Sequence, residues 1–340
     1  MNDGVINDGV IKNGLCFIGS GGLFSLTALQ TLLARQIQIH CIILAGYAPA
    51  TTPRRDLPIS PLTTTTDTPG NTAPTIPALA VQHGIPIHYA GHDIRQFDHW
   101  PDWPNLAHHR RPEFLFVACF PLRLPDALLQ WPTRMAINLH PSLLPSYRGP
   151  NPIFWQLRND ERHTGISLHR LTDALDAGPI LIQKRVSFPQ GASADELDVR
   201  LAQQGTEALC DALCNDLCDD LCNANSSQTL TPHEQNPQTA TYQPLPRPED
   251  YELDTRWSAE HAYNFMRGTR NPFGRYPILL DGQWHHLHSA LSFDKSRSLG
   301  SSYTRDISLP DSQQADQNRF QTHEALSIQF SPGVLRAKPV

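Results

Sequence analysis

Residues 135–150 of this 340-residue chain read MAINLHPSLLPSYRGP. The run from Met135 to Leu139 is short and apolar, which is typical of a buried strand. It ends in polar side chains, and Pro141, Pro145 and Gly149 then fix the path of the following loop. In an open parallel sheet, ligands bind beyond the carboxyl ends of the strands. The segment therefore predicts one strand of such a sheet and a functional site at its end.

Further apolar runs alternate with amphipathic segments through the first two thirds of the chain. The helical segments are Leu23–Ala34, Ile76–His83 and Ala194 to about Leu221. The clearest buried strand is Phe114–Cys119, and the others are Leu15–Ile18, Ile37–Ala45, Ile85–His88, Ile166–Leu171 and Ile180–Phe188. Apolar strands separated by helices indicate a parallel sheet that is covered on both faces. We therefore predict an α/β fold with an open, mostly parallel, twisted, Rossmann-like sheet.

The length suggests two domains, and changes in composition indicate where they begin and end. We expect a flexible leader at 1–13, an α/β domain at 14–222, a polar linker at 223–248 and a β domain at 249–340. In the last of these, Ser258 is expected to cap a helix. Asp281-Gly282 is a hairpin signal between short apolar strands. Residues 49–74, rich in threonine and proline, are expected to form a long loop or lid.

The composition argues against several classes of protein. With a formal net charge of −6, nucleic acid would have to bind through a local basic patch. The chain contains no apolar run of about 18 residues, and its N-terminus lacks a basic region before an apolar core. We therefore expect a cytoplasmic protein with no membrane span and no secretory signal.

The cysteines point to the same compartment. Four of the seven recur every fourth residue along a predicted helix, at Cys210, Cys214, Cys218 and Cys222. Such a row extends along the helix axis, so its members do not converge as tetrahedral zinc ligands must. This spacing is equally unfavourable for a disulfide framework. Reduced thiols fit a cytosolic setting.

Three polar side chains form the candidate site. Alternation along a strand puts Asn138 and His140 on the same side. A histidine at a strand end is often structural, but here the pair leads directly into a rigid loop. Thirty-six residues after His140 comes Leu175-Asp176-Ala177-Gly178-Pro179. Its acid is either a simple turn residue or a third member of the site.

Together these segments resemble the formyltransferase family that uses 10-formyltetrahydrofolate. The pattern is Asn-x-His-x-Ser-Leu-Leu-Pro, then Arg-Gly, then a Leu-Asp-x-Gly turn, and the resemblance covers roughly residues 14–210 and, less distinctly, 250–290. It implies that Asn138, His140 and Asp176 are catalytic. It also implies a small OB-like β-barrel after the α/β domain. The folate contacts that it implies are Val117, Phe120, Pro121, Leu122, Ser142 and Leu143.

The chemistry of this family suits these residue types. Formyl transfer to an amine passes through a tetrahedral anion, and one well-placed neutral donor such as Asn138 is typically worth about 2.7–4 kcal/mol of barrier. His140 can donate to the same oxygen or carry the proton from the attacking amine to the leaving nitrogen. A carboxylate such as Asp176 raises the basicity of the histidine and can hold a water molecule. The co-substrate implied is 10-formyltetrahydrofolate, and no metal is required.

Members of this family act on methionyl-tRNA, glycinamide ribonucleotide or amino sugars. The two-domain layout favours initiator methionyl-tRNA as acceptor, with an amino sugar nucleotide or another small amine as the alternative. Two features oppose tRNA: 49–74 carries only Arg54 and Arg55 as cations, and Arg148-Gly149-Pro150-Asn151-Pro152 replaces the usual Arg-Gly-Ala-Ala-Pro. Cations in the β domain are either phosphate contacts or a solvated surface; they are Lys295, Arg297, Arg305, Arg336 and Lys338.

Hydrolysis of formylfolate and non-catalytic binding of folate or RNA are further alternatives. The three polar residues argue against a non-catalytic role. The sequence indicates no oligomeric state.

Two other motifs are better explained by structure than by binding. Gly19-Ser20-Gly21-Gly22 lacks the third glycine of a dinucleotide fingerprint, so we interpret it as a tight turn. His286 and His288 share a strand face while His285 points away, and we interpret them as parts of a surface strand, not as metal ligands.

Overall fold

The computed structural model describes residues 14–46, 74–90, 111–222, 232–308 and 323–340. The predicted leader and almost all of the predicted loop 49–74 lie outside this set. The first part of the chain forms a seven-stranded sheet with helices between the strands. Its elements are β1 (Leu15–Gly19), α1 (Leu23–Ala34), β2 (Ile39–Ala45), α2 (Ile76–His83), β3 (Ile87–Ala90), β4 (Phe114–Ala118), α3 (Asp126–Leu129), β5 (Met135–His140), α4 (Pro152–Arg158), β6 (His163–Arg170), β7 (Ile180–Ser187) and α5 (Ala194–Cys222).

The strand order is β3-β2-β1-β4-β5-β6-β7. The first five of these strands are parallel, whereas β6 and β7 are antiparallel to their neighbours. All five residues of β1 and of β4 are buried, as expected of strands covered on both faces. The prediction of an open, mostly parallel sheet is confirmed. Helix α5 includes all four cysteines of the predicted row, and the side chains of residues 215–222 lie outside the described part.

The glycine-rich segment after β1 is a tight turn that leads into α1, and Ser25 of this helix links the ends of two strands. The Ser25 hydroxyl accepts a hydrogen bond from the Ser20 amide (3.0 Å) and donates to the carbonyl of Ala118 (2.5 Å). A Cβ on Gly19 would lie 2.9 Å from the Ser25 hydroxyl oxygen, so only glycine fits there. The turn thereby holds the carboxyl end of β1 beside that of β4.

The described residues divide into two compact units. The first comprises those up to Pro152, His163–Ser187 and Asp198–Gln243, and the second comprises Ile153–Arg162, Phe188–Leu197 and Pro244–Val340. Besides nearly all of α4, the second unit contains α6 (Ala259–Gly268) and strands β8 (Tyr276–Leu280), β9 (Gln283–Asp294), β10 (Tyr303–Ser308), β11 (His323–Gln329) and β12 (Val334–Pro339). The strands form an antiparallel sheet in the order β10-β11-β12-β9-β8, curled as a half-barrel. The predicted fold class, a mostly parallel α/β sheet followed by a small β unit, is therefore confirmed, and the predicted domain bounds stay predictions.

Local signals explain how this second unit forms. The Ser258 hydroxyl accepts a hydrogen bond from the His261 amide (3.0 Å), which is the predicted helix cap. Asp281 and Gly282 both have positive φ, 49° and 76°, as the tight turn between β8 and β9 requires. Phe265 of α6 packs with Phe330 in the core of the unit. Across the described residues, no helix is both long and apolar enough to traverse a lipid bilayer.

Candidate active site

The three predicted catalytic residues lie together at the carboxyl end of β5 and the turn before β7. Asn138 and His140 belong to the last residues of β5, and Asp176 lies between β6 and β7. The antiparallel register of β5 and β6 places His169 opposite Asn138. His140, His169 and Asp176 are all buried, whereas Asn138 is partly exposed. The site is thus a buried acid–base cluster with one amide at its accessible edge.

A backbone carbonyl determines which ring nitrogen of His140 carries the hydrogen. Its Nε2 lies 2.8 Å from the carbonyl oxygen of Tyr147, which can only accept a hydrogen bond, so Nε2 carries a hydrogen. In the neutral ring, Nδ1 is then the basic atom, and it lies 3.7 Å from Oδ2 of Asp176. Burial lowers the pKa of His140 below its usual value, although the charge of Asp176 opposes that change. Near neutral pH, His140 is therefore positioned to accept a proton at Nδ1.

Asp176 remains ionised although it is buried. Burial alone raises the pKa of this carboxyl group, but His169 and His140 in their protonated forms, together with the Gly149 amide, hold its pKa at about 2. The amide of Gly149 donates to Oδ2 (2.9 Å), and Oδ1 lies 3.6 Å from Nε2 of His169. A fixed negative charge thus faces His140 and stabilises the protonated ring once it forms.

His169 links Asn138 to Asp176, although no sequence pattern predicted it as a site residue. Its Nδ1 lies 3.1 Å from the carbonyl of Arg170, so in the neutral ring Nδ1 carries the hydrogen and Nε2 accepts. The Asn138 amide nitrogen lies 3.1 Å from that Nε2 and donates to it. This bond defines which end of the Asn138 carboxamide is the NH2 group. The available signal was a histidine near the end of an otherwise apolar strand, but its partner depended on the register.

Two glycines allow the site to close. A Cβ on Gly149 would collide with the carbonyl of Gln243, and the φ of Gly149 is +117°. A Cβ on Gly178 would collide with the carbonyl of Arg170. The Arg-Gly and Leu-Asp-x-Gly motifs therefore have a steric basis, because each glycine lets two backbone segments approach closely.

The predicted folate contacts fall into two groups. Val117 is buried and pairs with Asn138 in the sheet, and Phe120 and Leu122 are partly buried just beyond the end of β4, next to the exposed Pro121. In the loop after β5, Ser142 and Leu143 have different environments. The Ser142 hydroxyl is fully buried and donates to the carbonyl of Ser146 (2.8 Å), while Leu143 packs over Gly165. The roles of all six residues stay predictions.

Comparison with known proteins shows which family this part of the chain is similar to. Residues 74–213 match the formyl transferase family, and the resemblance inferred from the sequence is confirmed. Within the described residues, no group of three or more histidine, cysteine or acidic side chains is placed to hold a metal ion.

Among curated relatives, the chain is similar to the methionyl-tRNA formyltransferase of Synechococcus sp. (strain JA-3-3Ab). The two are 32% identical over 189 residues, which is 56% of this chain and 55% of that protein. The chain thus matches little more than half the length of such relatives.

Two solved structures share the fold. An N-formyltransferase from Helicobacter canadensis, in complex with folinic acid and dTDP-3-aminofucose, has a TM-score of 0.54 and 12% identity, with 96% of this chain and 99% of that chain covered. A sugar 3N-formyl transferase, solved with dTDP and 5-N-formyl-THF, has a TM-score of 0.53 and 13% identity, with 96% and 97% covered. At these identities the likeness concerns the fold alone.

Proposed function

We propose that this protein transfers a formyl group from 10-formyltetrahydrofolate to a primary amine in the cytoplasm. The observation that carries the proposal is the placement of Nδ1 of His140, an unprotonated ring nitrogen, against the ionised carboxylate of Asp176. Asn138 adds a neutral amide donor at the accessible edge of the same cluster. A base, a fixed anion and a neutral donor are the three groups that amine acylation needs.

Each group has a part in the proposed reaction. As the amine nitrogen bonds to the formyl carbon, the Asn138 amide donates to the oxygen that becomes negative. His140 accepts the proton that the amine loses, and Asp176 stabilises the resulting imidazolium. His140 then returns the proton to N10 of the folate as the bond between N10 and the formyl carbon breaks. The folate supplies the activated formyl group, and Val117, Phe120, Pro121, Leu122, Ser142 and Leu143 are the residues proposed to hold it.

Methionyl-tRNA is the acceptor that we propose first. Support comes from the name of the Synechococcus relative and from the cations of the β unit. Arg336 and Lys338 are exposed on β12, whereas Lys295 is paired with Glu260 at 3.0 Å. An amino sugar nucleotide is the second candidate, supported by the overall likeness to the two sugar formyltransferases. Arg54 and Arg55 lie outside the described residues.

A transfer assay with labelled formylfolate separates these acceptors. The purified protein would be offered methionyl-tRNA, a dTDP-linked amino sugar and a panel of small amines. Formylation of methionyl-tRNA that weakens steeply with salt is expected if phosphates are bound electrostatically. Turnover of a small amine without formylation of methionyl-tRNA would overturn the tRNA assignment. Formate release at a comparable rate without any amine would show a hydrolase.

A further inference from the structure

The side chain of Gln235 connects the loop after β5 to the turn that carries Asp176. Its Oε1 accepts hydrogen bonds from Nε (3.1 Å) and Nη2 (2.7 Å) of Arg148. Its Nε2 donates to the backbone carbonyls of Asp176 (2.8 Å) and Gly178 (2.7 Å). The side chain is buried, with 9% of its surface exposed. All four hydrogen-bonding positions of this carboxamide are therefore used within the first unit.

The turn at Asp176 needs such support. Asp176 has a φ of +51°, in the left-handed region, which is less favourable for aspartate than for glycine. Its surroundings must therefore hold it there, because such conformations persist only when neighbouring contacts determine them. Two bonds from Gln235 fix the carbonyls on either side of Ala177. The Asp176 side chain leaves this same backbone to meet His140.

The segment that carries Gln235 is itself anchored at both ends. His233 exchanges two backbone hydrogen bonds with Ile180, each 2.8 Å long. Further along, Thr241 accepts from the Arg148 amide at its carbonyl (2.9 Å) and from the Tyr147 amide at its hydroxyl (2.8 Å). Gln235 lies between these anchors, so its backbone is tied to the start of β7 on one side and to the loop after β5 on the other.

We propose that Gln235 is a positioning residue that keeps the Asp176 carboxylate next to Nδ1 of His140. This inference rests on the proposed function for its kinetic consequence, but the geometry that carries it belongs to the chain alone. Gln235 touches none of the predicted catalytic side chains, and it acts through the backbone of Asp176 and through Arg148. It lies within the part of the chain that the sequence predicted to be a linker.

Two variants test the hydrogen bonds that the Gln235 carboxamide accepts and those that it donates. Gln235→Met keeps the length of the side chain and removes all four bonds. Gln235→Glu keeps an acceptor for Arg148 and replaces the donor by a carboxylate oxygen that faces two carbonyls. Both should lower kcat by about 10-fold or more with little change in KM for the formyl donor, because misplacement of a catalytic group by about 1 Å can cost 10²-fold. The exposed Gln238, treated as Gln238→Met, is the matched control and should leave kcat unchanged.

A titration of the His140 ring tests the positioning without requiring turnover. In the described residues, the titratable groups that face His140 are Asp176 in the turn and His169 on β6. Asp176 raises the pKa of His140, so a displaced carboxylate lets that pKa fall. We therefore expect ¹⁵N NMR, assigned with His140→Gln, to show a lower pKa for His140 in Gln235→Met and no change in Gln238→Met.

The outcomes distinguish the inference from the proposed function. An unchanged His140 pKa in Gln235→Met, or a Gln235→Glu variant with wild-type kcat, would overturn the role of Gln235. Absence of formyl transfer by the wild-type protein to any acceptor would overturn the proposed function, and the NMR titration would still decide the role of Gln235.

Discussion

Nδ1 of His140 lies 3.7 Å from Oδ2 of Asp176, and each side chain is at most 7% exposed. The other ring nitrogen, Nε2, donates a hydrogen bond to the carbonyl of Tyr147. These two contacts determine which nitrogen is the base and which group stabilises it after protonation. The distance exceeds that of a direct hydrogen bond, which leaves space for a proton to arrive at Nδ1 or for a bridging water molecule.

Replacing the carboxylate should remove most of the activity. Asp176→Asn keeps the shape of the side chain but loses the charge that favours protonated His140. We expect kcat to fall by about 10²-fold or more, in line with the typical contribution of general acid–base catalysis, with a modest effect on folate binding. Steady-state kinetics with Asp211→Asn as a surface control would measure it. Wild-type turnover in Asp176→Asn and in His140→Ala would contradict the catalytic assignment.

Removing the amide donor should affect the transition state more than the ground state. Asn138→Ala is expected to lower kcat by about 10²–10³-fold, which is the cost of losing one oxyanion donor. KM for the formyl donor should change little. A variant that raised KM alone would place Asn138 in substrate binding instead of catalysis.

His169 should matter through Asn138. In His169→Leu, the Asn138 amide loses the acceptor that orients it, and we expect kcat to fall by about 10-fold, a loss of the size caused by a slightly misplaced group. His169→Gln offers an acceptor oxygen and should recover part of that loss. His163→Leu, which changes an exposed histidine on the same strand, serves as the control. Equal activity in His169→Leu and His163→Leu would rule out this role.

Acidification should reveal the stabilisation from ionised Asp176. Its pKa in the folded protein, about 2, lies below the usual 3.8. Stability from this group is therefore complete above about pH 4 and is lost as the pH falls through about 2, and it amounts to about 2 kcal/mol. Denaturant unfolding of wild type and Asp176→Asn should give free energies that converge between pH 5 and pH 2. A difference that stays constant over this range would contradict the depressed pKa.

Gly149 should tolerate no side chain. In Gly149→Ala, the added Cβ meets the carbonyl of Gln243 at a φ of +117°, and we expect a loss of about 3 kcal/mol or more in the free energy of unfolding. Gly84→Ala is the matched control, because Gly84 also has a positive φ (65°) but no heavy atom within 4 Å of the added Cβ. Its loss should be about 1 kcal/mol. Equal losses of unfolding free energy in the two variants would show that the positive φ alone causes the loss and that the contact with the Gln243 carbonyl adds nothing.

Part of the site could be predicted from the amino-acid sequence alone. The alternation of β5 placed Asn138 and His140 together, and the family pattern added Asp176. His169 was missed because its partner depends on how β5 and β6 pair, and Gln235 was missed because its segment is polar and irregular. Both make their decisive contacts with residues far away in the sequence, so no local pattern indicates them.

The order of apolar runs and turns was sufficient to determine an α/β sheet with polar residues at one strand end, because periodicity and turn chemistry are local properties. Tertiary structure alone decided the protonation of that site. The Tyr147 carbonyl selects the tautomer of His140, buried Asp176 keeps its charge through His169, His140 and the Gly149 amide, and Gln235 holds the turn. Charge and proton placement depend on distances and burial, and these exist only after the chain has folded.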